Sequence, residues 1–288
     1  MRLTAANTAL VLDTASDLPL NPSRRPNWRV VPLQLSFGDE TFRDYVDLTP
    51  AALYRRLRSS REIPQTSVPP PAAFGDLYAE LVEYERIFGV HVSAGLSGTY
   101  NSATVAAADT HGRVVTIDSE SVSGTIVLLA DAIQRRLERG TTDDEVQAVV
   151  ERFRRSARFV YTLETLEYLV RGGRIGRARA LAAGALNTRP VIQVVGGVNV
   201  PVQRVRGRKR SLAELEHQLV EATADRPTLH IGVTHADAES DARELERRLL
   251  HVRPSASFDL FAELGPALGS HLGPGAIGVF WFDDDEEE

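Results

Sequence analysis

The sequence predicts an α/β protein of two domains, and two observations carry that prediction. In the first half of the chain, short apolar segments alternate with segments of helical periodicity, which is typical of a parallel sheet with helices on both faces. In the second half, two apolar segments flank Gly196-Gly197, a pair typical of an antiparallel hairpin. We therefore expect a Rossmann-like N-terminal domain and a C-terminal α/β domain with a mixed or antiparallel sheet.

The first half supplies strands and helices in alternation. Strands are predicted at residues 9–12, 30–35, 87–92 and 114–117, and helices at 50–58, 71–85, 101–108, 123–139 and 142–158. The last helix has the clearest signals, because Thr142 and Glu145 form a capping box at its start. Four apolar residues then recur at the spacing of one buried helix face: Val146, Val149, Val150 and Phe153.

The second half has a different character. The hairpin pairs residues 191–195 with 198–202, further strands are predicted at 229–234, 257–261 and 276–280, and helices at 211–224 and 238–250. Ser211 is expected to cap the first of these helices, with Glu214 completing a capping box. We place the domain boundary near Arg158, so the domains cover residues 1–158 and 159–282. Residues 283–288 are expected to form a solvated acidic tail without structure.

Composition limits the classes of function. The chain has 288 residues, 43% hydrophobic and 25% charged, which leaves room for two cores. No apolar stretch approaches the ~18 residues of a membrane span, and no secretory leader is visible, so we expect a cytoplasmic protein. The chain has no cysteine, which excludes disulfides and thiolate chemistry, and its net charge of −6 argues against nucleic acid as a partner.

The most informative segment is VHVSAGLSGTYNSAT at residues 90–104. A short apolar strand there delivers small, hydroxyl-bearing residues to the start of a helix. Free backbone N–H groups and the helix dipole converge at such a junction and favour an anion. Ser93, Ser97 and Thr99 could add hydroxyl donors. The alternative interpretation is a glycine-rich turn with a serine at the helix cap.

A histidine and an arginine near the end of the chain are further candidates. His271 precedes a Gly-Pro-Gly turn that restricts the backbone, although a histidine in a turn is otherwise a solvated or capping residue. Arg206 lies in the basic segment 204–210, and a second basic segment covers residues 171–179. Each segment is either a patch for an anion or acidic partner, or a solvated surface.

Enzymatic alternatives are weaker. A serine hydrolase using Ser97 and His271 remains open, although the sequence around Ser97 lacks the second glycine of G-x-S-x-G. The glycine-rich segment 172–176 fits neither a P-loop nor a dinucleotide fingerprint. The possible metal ligands are scattered, and capping or turn roles explain them: Asp13, Asp17, Asp118 and His235. We therefore predict no metal site and no cofactor.

Six segments, in order, resemble the DegV family, and the resemblance covers nearly the whole chain. They are VLDTASDLP (11–19), VVPL (30–33), PQTS (64–67), LSGTY (96–100), LEYL with RGGRI (166–175), and His271 with the following Gly-Pro-Gly. Two positions depart from the family pattern. Val68 stands where glutamine is usual, and Ala94 stands where a second serine is frequent, which leaves one hydroxyl fewer.

Members of that family are lipid-binding modules that hold one long-chain fatty acid at the junction of two α/β domains. They serve as the acyl-carrying partner of a fatty acid kinase. The resemblance implies the same role here, as a binding protein with at most transient membrane contact and not as an enzyme. It implies carboxylate contacts from one set of residues: Thr66, Ser67, Ser93, Ser97, Gly98 and His271. Arg206 is expected at the rim, near the kinase or the transferred phosphate.

Overall fold

The computed structural model describes residues 2–18, 25–60, 62–181 and 188–284. These ranges contain thirteen strands: β1 (Thr8–Asp13), β2 (Trp28–Val31), β3 (Gln34–Phe37), β4 (Glu40–Arg43), β5 (Gln65–Ser67), β6 (Arg86–His91), β7 (Val114–Asp118), β8 (Arg158–Thr162), β9 (Thr188–Val195), β10 (Val198–Arg206), β11 (Leu229–His235), β12 (Ser257–Glu263) and β13 (Ile277–Asp283). The same ranges contain nine α-helices: α1 (Pro50–Ser60), α2 (Pro71–Glu80), α3 (Thr99–Ala107), α4 (Gly124–Arg139), α5 (Asp143–Ser156), α6 (Glu167–Arg171), α7 (Arg208–Ala222), α8 (Glu239–Val252) and α9 (Pro266–Leu272). Short 3₁₀ helices lie at Thr14–Ser16, Ala108–Thr110 and Gly176–Leu181.

Four strands form the predicted parallel sheet, in the order β2-β1-β6-β7. Residues along β1 alternate between its two faces. Ala9 and Val11 pack in one cluster with Phe74 of α2. Leu10 and Leu12 belong to the opposite cluster, which includes the apolar side of α4. The prediction of a parallel sheet covered by helices on both faces is confirmed.

Six strands form a second, mixed sheet in the order β10-β9-β8-β13-β11-β12. The predicted hairpin is confirmed, since Val195 pairs with Val198 across two glycines of positive φ. β11 and β12 run parallel, and the other neighbouring pairs run antiparallel. Helices α7 and α8 cover one face of this sheet, and α4 and α5 cover the other.

A third sheet of three antiparallel strands, in the order β4-β3-β5, is absent from the sequence prediction. The predicted strand at 30–35 is in fact two strands, interrupted at Pro32 and Leu33. Pro32 has no N–H to donate to a ladder. The N–H of Leu33 donates to Thr14 Oγ1 at 3.0 Å, so the chain leaves the parallel sheet here. Thr66 is the central residue of β5, so its position is fixed by this small sheet.

Helix starts show what local signals can and cannot predict. The capping box of α5 is confirmed: Glu145 N–H donates to Thr142 Oγ1, and Thr142 N–H donates to Glu145 Oε2. The capping box predicted at Ser211 is wrong. Gly207 has a φ of +75°, so the chain turns earlier and α7 begins at Arg208. Ser211 lies inside the helix and its hydroxyl donates to the carbonyl of Arg208.

The acidic tail begins later than predicted. Asp283 is the last residue of β13, and Asp284 is buried. Arg136 donates to both oxygens of Asp284 at 2.9 and 3.0 Å, and Arg135 donates to Oδ2 at 2.8 Å. Burial raises the pKa of Asp284, but these bonds outweigh it and hold that pKa below its ordinary value. The prediction of an unstructured tail is therefore wrong for these two residues, and 285–288 lie outside the described residues.

The two large sheets share one apolar core. Helix α4 packs against β11 and β13 of the mixed sheet and also against β6 of the parallel sheet. The domain boundary near Arg158 therefore stays a prediction, because a helix that precedes it contacts both sheets. Among the described helices, none is both long and apolar enough to cross a bilayer.

Candidate functional site

An apolar cavity, which we call the chamber, lies where the parallel sheet, the mixed sheet and the small third sheet meet. The space between its lining atoms, part of it open to solvent, is about 580 Å³. Most of its lining is apolar and comes from both halves of the chain: Leu33, Val92, Leu96, Val122, Phe159, Tyr161, Leu169, Leu268 and Leu272. Such a lining can hold a hydrocarbon chain away from water.

Three polar residues, which we call the mouth, lie at one end of the chamber: Thr66, Arg174 and His271. The same three residues also line an adjoining surface groove, together with Gln65 and Arg171. The mouth therefore separates the apolar interior from solvent and can contact a ligand that reaches both.

His271 lies in the last turn of α9, and not in the turn that the sequence suggests. Its Nε2 is 2.8 Å from Thr66 Oγ1. On the other side of the ring the backbone of Gly172 packs so closely that a Cβ atom there would overlap Nδ1. Burial, and then the charge of Arg174, lower the pKa of His271 to about 4. The ring is therefore neutral at pH 7, and Nε2 can donate or accept according to its tautomer.

Arg174 is held at the mouth by contacts that sequence reasoning missed. Its Nε donates to Leu96 O at 3.2 Å and its Nη1 to Gly172 O at 2.6 Å. Behind it, Asn199 Nδ2 donates to Arg174 O at 2.7 Å, and Tyr161 Oη donates to Asn199 Oδ1 at 2.8 Å. These bonds fix a guanidinium cation next to His271. The basic segment containing Arg174 was the available signal, whereas nothing in the sequence distinguishes Asn199.

Ser97 lines the chamber beside the start of α3. Its Oγ lies 2.9 Å from Thr99 Oγ1 and accepts the Thr99 N–H at 3.3 Å. Gly98 is the exposed residue that precedes α3. The strand–helix junction predicted as an anion site thus adjoins the chamber through Ser97.

Three other predicted residues lie elsewhere. Ser93 is buried, and its hydroxyl donates to Gly197 O of the β9–β10 hairpin at 2.9 Å, so it joins two parts of the fold. Ser67 is exposed, with its hydroxyl 3.5 Å from Gln34 Oε1. Arg206 is exposed at the end of β10. Among the described residues that line the chamber or the groove, these three do not appear, and carboxylate contacts from Ser67 and Ser93 stay a prediction.

The geometry gives no support to a hydrolase. A serine nucleophile needs a base within hydrogen-bond reach, oriented by a third group. His271 Nε2 is bonded to Thr66, Ser97 Oγ is bonded to Thr99, and the buried His271 Nδ1 has no hydrogen-bond partner among the described residues. In the part of the chain that the structure describes, no three His, Asp or Glu residues are grouped to hold a metal ion.

The chain matches known proteins over nearly its whole length. A family model described as uncharacterised proteins of the DegV family matches residues 7–284. A DegV domain-containing protein of Streptomyces coelicolor is 32% identical over 275 residues, covering 95% of this chain and 97% of that protein.

Two solved structures share the architecture. A DegV family protein from Thermus thermophilus, described by its fatty acid binding, has a TM-score of 0.91 and 31% identity, covering 96% of this chain and 99% of that one. The fatty acid kinase B3 protein of Streptococcus pneumoniae, loaded with linoleic acid, has a TM-score of 0.84 and 21% identity, covering 96% and 99%. At that lower identity the likeness shows the fold alone. With the match extending from residue 7 to residue 284, the chain belongs to the DegV family.

Proposed function

We propose that this protein binds one long-chain fatty acid, with the acyl chain in the chamber and the carboxylate at the mouth. The observation that carries the proposal is the continuity of an apolar chamber with a polar mouth, since a fatty acid has the same two parts. The Thermus relative, described by its fatty acid binding, supports it.

The two ends of the ligand have different requirements. Each buried CH₂ contributes ~0.8 kcal/mol, so an acyl chain supplies most of the affinity. A carboxylate removed from water needs hydrogen bonds and positive charge in return. Thr66, Ser97 and His271 supply donors, and Arg174 supplies the charge. When His271 Nε2–H donates to Thr66 Oγ1, 2.8 Å away, the hydroxyl hydrogen of Thr66 is left to point to the ligand.

Mass spectrometry under native and then denaturing conditions tests this proposal. We expect protein purified from a bacterial host to carry about one equivalent of a C14–C18 fatty acid. Val122→Trp should abolish this occupancy, because Val122 is 5% exposed and lines the chamber. Val82→Trp is the control, because Val82 is 77% exposed and should tolerate the same change. Repeated extraction that yields no lipid, with no rise in melting temperature on adding palmitate, would contradict the proposal.

The second half of the proposal is that the bound carboxylate is presented to a fatty acid kinase for conversion to an acyl phosphate. Phosphoryl transfer requires the attacking oxygen and the phosphate donor to meet in line. The groove outside the mouth leaves that approach open, and Arg171 and Arg174 line it with positive charge. Arg206, exposed on the mixed sheet, would then contact the kinase and not the ligand.

Arg206→Ala tests this second half. We expect fatty acid occupancy to stay within about twofold of the wild type, while acyl phosphate formation with a bacterial fatty acid kinase falls at least about tenfold. Arg210→Ala is the matched control, since Arg210 is an exposed cation of the same basic segment. Equal losses of lipid and of turnover in Arg206→Ala would place Arg206 in the carboxylate site instead.

A further inference from the structure

The direction of the His271 ring depends on where α9 lies. That helix has seven residues, and His271 is in its last turn. The ring makes one side-chain hydrogen bond in the described structure, to Thr66. A hydrogen bond weakens steeply with distance and angle. A small shift of α9 would therefore separate Nε2 from Thr66 and misdirect both groups at the mouth.

The start of α9 is held by two carboxylates that come from the other end of the chain. Gly265 N–H donates to Asp17 Oδ1 at 2.9 Å, and Ala267 N–H donates to Asp44 Oδ1 at 3.3 Å. Both aspartates are buried, at 2% and 0% exposed. Ser123 Oγ donates to the other oxygen of Asp17 at 2.5 Å, which orients that carboxylate.

Two features indicate that these contacts reduce the stability of the folded protein: an unusual backbone conformation and the burial of two carboxyl groups. Asp17 adopts a left-handed backbone conformation, with a φ of 59°, which is uncommon for residues with a Cβ, although aspartate enters it more readily than most. Burial raises the pKa of Asp17 to about 8 and that of Asp44 to about 7. Strain and strongly shifted pKa values concentrate at functional sites.

We infer that Asp17 and Asp44 are positioning residues for His271, which hold α9 by its first N–H groups and so fix the geometry of the mouth. This inference rests on the proposed function. Neither aspartate lines the chamber or the groove among the described residues, so both act through α9. Each N–H group at the start of α9 needs an acceptor oxygen, and a carboxyl group supplies one whether or not it is ionised.

The test compares hexadecanoic acid with hexadecanol, which share a chain length and differ at the end that meets the mouth. Delipidated protein is titrated with each at pH 7, and the ratio of the two affinities is the readout. We expect Asp17→Ala and Asp44→Ala each to lower the ratio about tenfold, the loss of one charge-assisted hydrogen bond. Asp17→Asn and Asp44→Asn keep an acceptor oxygen and should stay within about twofold.

His271→Ala provides the decisive background. If the aspartates act through His271, adding Asp44→Ala to His271→Ala should leave the ratio unchanged. An equal further drop in that background, or an unchanged ratio in both single alanine variants, overturns the inference. Asp284→Asn is the control for a buried carboxylate that does not contact α9, and its ratio should match the wild type.

Ser123→Ala covers the case in which the alanine variants do not fold. It removes only the hydroxyl that orients Asp17, and we expect a ratio about threefold lower, whereas an unchanged ratio overturns the inference. A wild type that binds neither ligand would instead contradict the proposed function. Wild-type binding with unresponsive variants contradicts the positioning role alone.

Discussion

In the proposed function, the chamber and the mouth contribute to binding in different ways. The chamber offers many weak apolar contacts from both halves of the chain, and their sum grows with ligand length. The mouth offers a few polar groups whose effect depends on charge and direction. Under the proposed function, we expect affinity and head-group selection to be carried by separate residues, so that each can be changed while the other is kept.

A change of ligand length should have the largest effect on binding free energy, and it alters contacts with the chamber alone. Replacing hexadecanoic acid by decanoic acid removes six methylene groups, which should weaken binding by about 5 kcal/mol at ~0.8 kcal/mol each. Calorimetric titration of delipidated protein measures the difference. His271→Ala should show the same dependence on length, since the mouth lies at one end of the chamber and we assign it to the carboxylate. Similar affinities for the two acids would mean that the chamber does not enclose the chain.

The intermediate effect is on the free energy of unfolding at acid pH, which depends on the mouth residue His271 and can be measured without a ligand. The pKa of His271 is lowered from 6.5 to about 4, so between those pH values the unfolded chain binds a proton that the folded chain does not. Stability should therefore fall as the pH falls through this window. We expect the wild type to lose up to about 3 kcal/mol relative to His271→Gln between pH 7 and pH 4. Urea unfolding of both proteins measures this, and parallel pH profiles would show that the ring is not buried as a neutral group.

The smallest effect on fatty acid affinity should distinguish Thr66 of the mouth from the neighbouring residue Ser67. Thr66→Val removes the hydroxyl next to His271 Nε2 and keeps the shape of the side chain. We expect fatty acid affinity to fall by about 1–2 kcal/mol, with no change for the corresponding alkane. Ser67→Ala is the neighbouring control, because Ser67 is exposed and should change affinity by less than about 0.5 kcal/mol. Equal losses in both variants would mean that β5 itself had moved.

Periodicity and turn chemistry predicted the elements that depend on local sequence. The parallel sheet, the Gly196-Gly197 hairpin and the capping box at Thr142 all follow from residues close together in the chain. The third sheet was beyond such reasoning, because β4 and β5 have three or four residues each and are mostly exposed. Their pairing is decided by where the chain leaves the parallel sheet at Pro32.

The candidate site shows the same limit at the level of single side chains. Ser93 and Ser97 stand four residues apart in one small-residue segment, yet one contacts Gly197 and the other lines the chamber. Only the tertiary position of the hairpin separates their roles. Arg174 was one of several arginines in a basic segment, and its place beside His271 depends on Asn199, which lies 25 residues further on.

The position of β13 has a consequence for how the protein is made. This strand follows all the others in chain order, yet it lies inside the mixed sheet, bonded to β8 on one side and β11 on the other. Until residues 277–283 are in place, the sheet is divided into β10-β9-β8 and β11-β12, each with an open inner edge. β8 carries Phe159 and Tyr161 of the chamber wall. This part of the chamber wall is therefore completed late in folding, once β13 has paired with both β8 and β11.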